Sequence, residues 1–224
     1  IGFTPVPFLV FETGASVGSG WTLLGLEGMS RYDFEKGEYI SYANCGLPYY
    51  IGNTIEERKK LFVQTPVSFG NRYDVDVRNL NEVTAINRDQ KTVSVTNLRN
   101  GKTYEEDYDI LLLSPGAEPI IPPVPGVDLP NIFTLRSVTD CDRIKLEAVE
   151  KMQANASAVI IGGGFIGLEM AENLHKIGYK VTVVEKADHI LTPLDWPLAA
   201  IVQKHLIDKG VEVITANGLA GFAE

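Results

Sequence analysis

The run Ala158-Val-Ile-Ile-Gly-Gly-Gly-Phe-Ile-Gly167 decides the fold. Its apolar, mostly β-branched start reads as a buried strand that runs directly into Gly162-x-Gly164-x-x-Gly167, and residues 165–177 then repeat apolar side chains at helical spacing. A second strand over 180–184 ends at Glu185, 23 residues past Gly162. Each part has a mechanical reason. Gly162 permits the tight turn, Gly164 lets a pyrophosphate approach the N–H groups of the helix start, and Gly167 lets helix and strand pack closely. A carboxylate at Glu185 accepts both ribose hydroxyls of an adenosine half and repels a 2′-phosphate, so it favours NADH over NADPH, a preference that Lys186 blurs. A ligand-free glycine turn is the plain alternative, and the matched strand, loop, helix and strand weigh against it. Glu169, one turn into the helix, either faces the nicotinamide or is a solvated surface carboxylate.

Outward from this run, helices over 140–153, 165–177 and 197–209 alternate with strands over 158–161, 180–184 and 211–214, the pattern of a parallel sheet with crossover helices. Upstream, Pro119, Pro122, Pro123, Pro125 and Pro130 stiffen an extended connection over 120–130, the best candidate domain boundary. Before it, β segments over 82–86, 92–96 and 104–113, with polar turns at 88–90 and 99–101, predict an antiparallel meander. Residues 55–62 predict a short surface helix. In 1–33, Gly18, Gly20, Gly25 and Gly28 break any helical period and Pro5 and Pro7 interrupt the strand-like stretch, so no element is assigned there.

The chain has 224 residues, 45% apolar and 22% charged, which is enough to bury a core and is not the profile of a disordered chain. A net charge of -9 argues against nucleic acid or an anionic membrane surface as partner, because both reward clustered Lys and Arg. No stretch reaches membrane-spanning length, no basic start resembles a secretory signal, and the two cysteines are too few for a disulfide framework. These readings predict a cytoplasmic protein. No metal-binding cluster is expected.

Cys45 lies in Ser41-Tyr-Ala-Asn-Cys-Gly-Leu-Pro-Tyr-Tyr-Ile-Gly52, after a β-like stretch over 39–42 and before a segment able to open a helix. A thiol at a helix start feels the positive end of the backbone dipoles, which favours the thiolate that attacks disulfides. The bland alternative is a small buried apolar residue. Position 50 is Tyr, so there is no Cys-x4-Cys pair, and a reactive Cys45 must cycle through a mixed disulfide with a small thiol or through a sulfenic acid. Cys141, in a helix-start segment, is expected to be structural.

The chain resembles the single-cysteine branch of the pyridine nucleotide-disulfide oxidoreductases, most nearly its coenzyme A-disulfide reductase group. The resemblance covers residues 34–224 and is carried by residues 34–52, by Asp76-Val-Arg through 82–86, by Leu113-Ser-Pro-Gly-Ala117, and by the loop 162–167 continued by Leu-Glu-Met-Ala-Glu-Asn. It implies an α/β fold of tandem Rossmann-like FAD and NAD(P) binding domains, both incomplete, with an antiparallel β-meander. A divergent segment 1–33 would precede an FAD-binding portion 34–120 with the redox cysteine, and a truncated NAD(P)-binding domain 121–224. It implies Cys45 as nucleophile and redox thiol, with Ser41 and Asn44 contacting coenzyme A. It further implies Glu35, Lys36, Val83, Ser114, Pro115 and Gly116 at the FAD, and Gly162, Gly163, Gly164, Phe165, Ile166, Gly167 and Glu185 at the NADH, with Phe165 covering the flavin before NADH enters.

Two departures accompany the resemblance. The family's first glycine loop, which grips the FAD pyrophosphate, survives only as Gly14-Ala-Ser-Val17, and 18–33 reads as a shifted or otherwise disrupted frame. The chain is also expected to lack the second FAD segment and the dimerisation domain of its homodimeric relatives. The function implied is NAD(P)H-dependent reduction of coenzyme A disulfide or a similar small disulfide. The rivals are an NADH oxidase or peroxidase that uses a cysteine sulfenic acid, and an inactive, truncated or frame-disrupted fragment. His175, His189 and His205 all lie downstream, whereas the oxidases place a histidine near the thiol from the first glycine loop.

Overall fold

A computed structural model describes residues 19–23, 32–150 and 154–223. In chain order the elements are β1 (Ser19–Leu23), β2 (Tyr32–Glu35), β3 (Ser41–Tyr42), α1 (Leu47–Ile51), β4 (Phe62–Gln64), α2 (Pro66–Tyr73), β5 (Asp76–Asn79), β6 (Asn81–Asn87), β7 (Thr92–Asn97), β8 (Thr103–Asp107), β9 (Leu111–Pro115), α3 (Val138–Lys145), β10 (Ser157–Ile161), α4 (Phe165–Lys176), β11 (Lys180–Val184), α5 (Trp196–Asp208) and β12 (Glu212–Ile214). Short 3-10 turns cover Asn44–Gly46 and Arg58–Leu61, and α3 widens into a π turn over Leu146–Glu150.

The chain divides into two compact units, and the division is not a single cut: Asn44–Leu61 belongs with the residues from Glu118 onward, while Ala15–Ala43 belongs with Phe62–Ala117. The cysteine segment therefore shares a unit with the glycine loop.

In that unit β10, β11 and β12 form a parallel sheet in sequence order, linked by α4 and α5. β10 and β11 alternate buried with less buried residues, and Ile160, Val181 and Val183 are fully buried, as are Met170, Ala171 and Leu174 of α4, which packs on both strands. α3 starts on a capping box in which Ser137 Oγ accepts from the Asp140 N–H at 3.2 Å and Asp140 Oδ2 accepts from the Ser137 N–H at 2.8 Å. The helices expected at 140–153, 165–177 and 197–209 form as Val138–Lys145 with its π turn, Phe165–Lys176 and Trp196–Asp208. The last residues of the first prediction, 151–153, lie outside the described residues.

The other unit holds the expected meander, β6, β7 and β8, all antiparallel. Phe34, Val93 and Val95 form its core, with Tyr32, Val83, Tyr104, Tyr108 and Leu111 packed against them. The single strand expected over 104–113 is two strands in two sheets. At Tyr108 the backbone N–H turns to Lys91 O, the chain leaves the meander, and β9 pairs with β1 in the sheet ordered β5, β2, β1, β9. β1 itself is a strand where no element was assigned, antiparallel to both neighbours, so this sheet is mixed. The remainder of the divergent segment, 1–18 and 24–31, lies outside the described residues. Arg78 on β5 ties the two sheets: its guanidinium lies 4.5 Å over the Tyr32 ring and reaches Glu106 of β8 at 2.7 Å and Asp76 at 2.8 Å. Burial alone would ease its proton off, but bonds to Tyr104, Glu106 and Asp76 hold it well above the usual arginine range.

The helix expected over 55–62 is absent, and only the 3-10 turn Arg58–Leu61 forms. The chain has just left α1 through Asn53 in the left-handed region (φ 56°), and the N–H groups of Thr54 and Ile55 fold back onto Tyr49 O. Of this stretch only Leu61 is buried among apolar residues, too little apolar face to hold a helix.

Gly52 ends α1 where it meets α4, and a Cβ there would lie 2.6 Å from Asn173 Cβ and 2.3 Å from its Oδ1. Gly52→Ala is expected to destabilise the chain by about 1–3 kcal/mol, the usual cost of overpacking. Urea unfolding would measure it as a lower midpoint at unchanged slope.

Candidate active site

Cys45 is exposed, in the 3-10 turn Asn44–Gly46. Gly46 is helical (φ -82°, ψ -16°), so the turn runs on into α1 and Pro48 fits α1's first turn, where no N–H is needed. This short helix is positioned from outside rather than by its own propensity. Along one side, α3 and its approach reach it with successive side chains. Arg136 Nη1 donates to Asn44 Oδ1 at 3.0 Å, Cys141 Sγ donates to Leu47 O at 3.4 Å, and Lys145 Nζ donates to Tyr50 O and, at 2.7 Å, to Asn53 Oδ1. Just past α1, Arg58 grips Asp142 with two nitrogens, at 3.0 and 2.7 Å. From the other side α4 supplies Asn173, closely packed on Gly52, and Lys176, whose Nζ donates to Thr54 Oγ1 at 2.9 Å.

Tyr49 lies four residues past Cys45 on this helical path, half-buried. Its phenol is pushed above its ordinary 10.0 by burial, then by the negative charges of Glu169, Glu172 and Cys45. Glu169 itself is half-buried on α4, not a fully solvated carboxylate. Cys141 has the structural place expected of it: 0% exposed, with its thiol pushed from 9.0 up to about 12, chiefly by burial.

The glycine loop has the geometry its sequence predicts. Gly162 adopts φ 104°, and its N–H donates to Val184 O at 2.8 Å, joining the loop to β11. A Cβ on Gly167 would lie 2.1 Å from Gly162 O, so the close helix–loop approach requires that glycine. Gly164 caps α4 without a side-chain bond, which leaves the first N–H groups of a twelve-residue helix for an anionic group. Glu185 reaches back to the loop: Oε2 accepts from Gly163 N–H at 2.7 Å and Oε1 from Ala187 N–H at 2.7 Å. Each oxygen keeps a second lone-pair direction for a ligand hydroxyl. Phe165 is 55% exposed at the loop's end, followed by half-buried Ile166. These features fit a dinucleotide pyrophosphate and ribose.

The other predicted positions belong to the second unit. Glu35, 4% exposed at the end of β2, accepts from Gly37 N–H at 2.6 Å, and Lys36 pairs with Glu82 at 3.0 Å. Ser41 pairs with Gln64 across β3 and β4, Val83 packs on the meander core, Ser114 and Pro115 end β9, and Gly116 follows at φ 72°. A carboxylate at a strand end and a glycine turn after another strand suit a nucleotide ribose and phosphate. The first glycine loop lies outside the described residues, as does Gly14.

Arg136, Asp142, Lys145, Asn173 and Lys176 escaped the sequence reading. Their partners lie roughly 84–122 positions away, and no local pattern marks them. Among the described residues no group of His, Cys, Asp and Glu is disposed to hold a metal, and no helix is long and apolar enough to cross a membrane.

The family model described as pyridine nucleotide-disulphide oxidoreductase matches residues 22–224. The chain belongs to that family. Among curated relatives it is 33% identical over 190 residues to the NADH oxidase of Enterococcus faecalis, covering 84% of this chain and 42% of that protein. It is 38% identical over 169 residues to the coenzyme A disulfide reductase of Staphylococcus haemolyticus, covering 75% of this chain and 37% of that one. The crystal structure of reduced Bacillus anthracis CoADR-RHD matches at TM-score 0.81 and 47% identity, over 85% of this chain and 34% of that chain. The chain thus spans well under half the length of these relatives.

In the folded chain one thiol is accessible, so a thiol reagent at neutral pH is expected to label Cys45 alone, with Cys141 reacting only on unfolding. Because Cys141 ionises later in the folded chain than in the unfolded one, the stability it contributes is full below about pH 9 and is lost as pH rises toward 12. Thermal unfolding between those limits should show this slope, and Cys141→Ala should flatten it.

Proposed function

We propose that this chain carries the thiol and the NADH site of a flavin-dependent reductase that acts on coenzyme A disulfide or a similar small disulfide. The observation that carries this reading is the placement of the exposed Cys45 in the same compact unit as a glycine loop whose helix start is uncapped. The 38% identity to a coenzyme A disulfide reductase supports the choice of substrate.

The Cys45 thiolate attacks one sulfur of the substrate disulfide. That sulfur–sulfur bond breaks, a Cys45 mixed disulfide forms, and the other half leaves as a thiolate that takes a proton from water. Asn44, next to the thiol, holds the coenzyme A moiety. Gly162, Gly163, Gly164, Phe165, Ile166 and Gly167 would hold the nicotinamide cofactor, through the uncapped N–H groups at the start of α4 and through the close packing that the glycines allow. Glu185 takes its ribose hydroxyls and disfavours a 2′-phosphate, which selects NADH. Glu35, Lys36, Val83, Ser114, Pro115 and Gly116 would hold FAD. When bound, FAD would supply the transfer of two electrons from NADH to the Cys45 mixed disulfide; with the hydride of NADH and one solvent proton, that disulfide would open to the Cys45 thiol and a second coenzyme A thiol, which leaves.

A second reading follows from the 33% identity to an NADH oxidase: Cys45 alternating between thiolate and sulfenic acid. The two separate on one experiment. Coenzyme A disulfide is expected to add one coenzyme A to Cys45, seen by intact mass and lost in Cys45→Ser. A chain that resists the disulfide but gives a dimedone-trapped sulfenic acid with peroxide would overturn the reductase reading in favour of the oxidase.

A further inference from the structure

Asn44 immediately precedes Cys45 and is exposed, with its Oδ1 bonded to Arg136 Nη1 at 3.0 Å. A guanidinium carries donors and no acceptor, so the atom facing it must be the carboxamide oxygen; a flipped amide would set donor against donor. Asn44 Nδ2 then has no hydrogen-bond partner among the described residues. With Oδ1 turned to Arg136, the side chain presents its two N–H donors to a ligand. Arg136 is itself fixed in place: its backbone N–H donates to Asp140 Oδ2 at 3.2 Å, just before the capping box that starts α3. α3 is in turn bonded to α1 through Cys141 and Lys145. The guanidinium therefore extends from the residue just before the cap of a helix that is already locked to the thiol segment.

We propose that Arg136 is a positioning residue that sets the polarity of Asn44, so that the group next to the Cys45 thiol recognises an acceptor oxygen of the incoming disulfide. This deepens the reading of Cys45 as the thiol that exchanges with a small disulfide, and it rests on that reading. It assigns a substrate class: disulfides whose arms carry amide or phosphate oxygens close to sulfur are preferred over disulfides with donor-bearing arms. The selection comes from a residue 92 positions away that need not touch the substrate.

The test follows single-turnover adduct formation on Cys45 in the full chain, with coenzyme A disulfide and with cystamine, whose arms carry ammonium donors and no acceptor oxygen. Arg136→Met frees the amide to flip and is expected to lower the preference for coenzyme A disulfide over cystamine roughly tenfold, the worth of one hydrogen bond, as a rise in half-saturation rather than a fall in limiting rate. Arg136→Lys, which retains a donor, recovers part of the preference. Asn44→Asp keeps the Arg136 partner but offers only acceptors, and it loses the preference as fully as Arg136→Met. In an Asn44→Ala background, Arg136→Met has no further effect. Equal slowing with both disulfides, or an undiminished effect of Arg136→Met without Asn44, would overturn the assignment. Wild-type chain that forms no adduct with either disulfide would instead sink the exchange reading. The side-chain amide resonance of Asn44 then still decides the polarity, since it shifts on Arg136→Met only if the bond exists in solution.

Discussion

Everything at the candidate site depends on the seating of α1, five residues that form no stable helix alone, between α3 and α4. No single contact accounts for it. The Arg58–Asp142 pair is half-exposed, and pairs of that kind are worth about 0.2–1 kcal/mol. The bonds from Lys145 and Cys141 satisfy carbonyls that a short helix leaves unpaired, and the absence of a side chain on Gly52 lets Asn173 close in from the opposite side. Together these fix the backbone from Asn44 to Thr54 while leaving the Cys45 thiol exposed.

The glycine loop obeys a related constraint. Its contacts are made almost entirely by backbone: Gly162 N–H on Val184 O, Leu191 N–H on Gly163 O, and a Gly167 that abuts Gly162 O. Glu185 is the side chain that joins it, bridging Gly163 and Ala187. A loop held in this way keeps its uncapped N–H groups pointed outward, which is the preorganisation that anion binding at a helix start requires. α4 therefore serves both features, with the loop at its first turn and the seat for α1 further along it.

Local periodicity made much of this legible in the sequence. The β10–α4–β11 segment follows from one apolar run, three glycines and a second β-branched run, and the meander from two polar turns between alternating strands. The cysteine segment was recognisable as a motif. What was not legible is non-local. Residues 55–62 carry charges between apolar ends and read as a helix, but Asn53 has already turned the chain and Arg58 is drawn to Asp142, 84 residues away. Residues 104–113 read as one strand, because nothing local says that Tyr108 bonds to Lys91 and sends the chain into another sheet. Arg136 stands in a mixed stretch, Ile132-Phe-Thr-Leu-Arg-Ser-Val138, with no motif to mark it, and its meaning appears only when α3 lies along α1. The grouping of residues 44–61 with the nucleotide unit is of the same kind.

Native-state hydrogen exchange tests the seating of α1 most directly, by comparing the amides of Gly52, Thr54 and Ile55, which donate to Pro48 O and Tyr49 O, with those of α4. If the cysteine segment is built into the nucleotide unit, these amides open with the same free energy as α4 and with the same denaturant dependence. Exchange of 52–55 by a separate, low-energy opening while α4 stays protected would contradict the account, because the thiol would then ride on a segment that the unit does not hold.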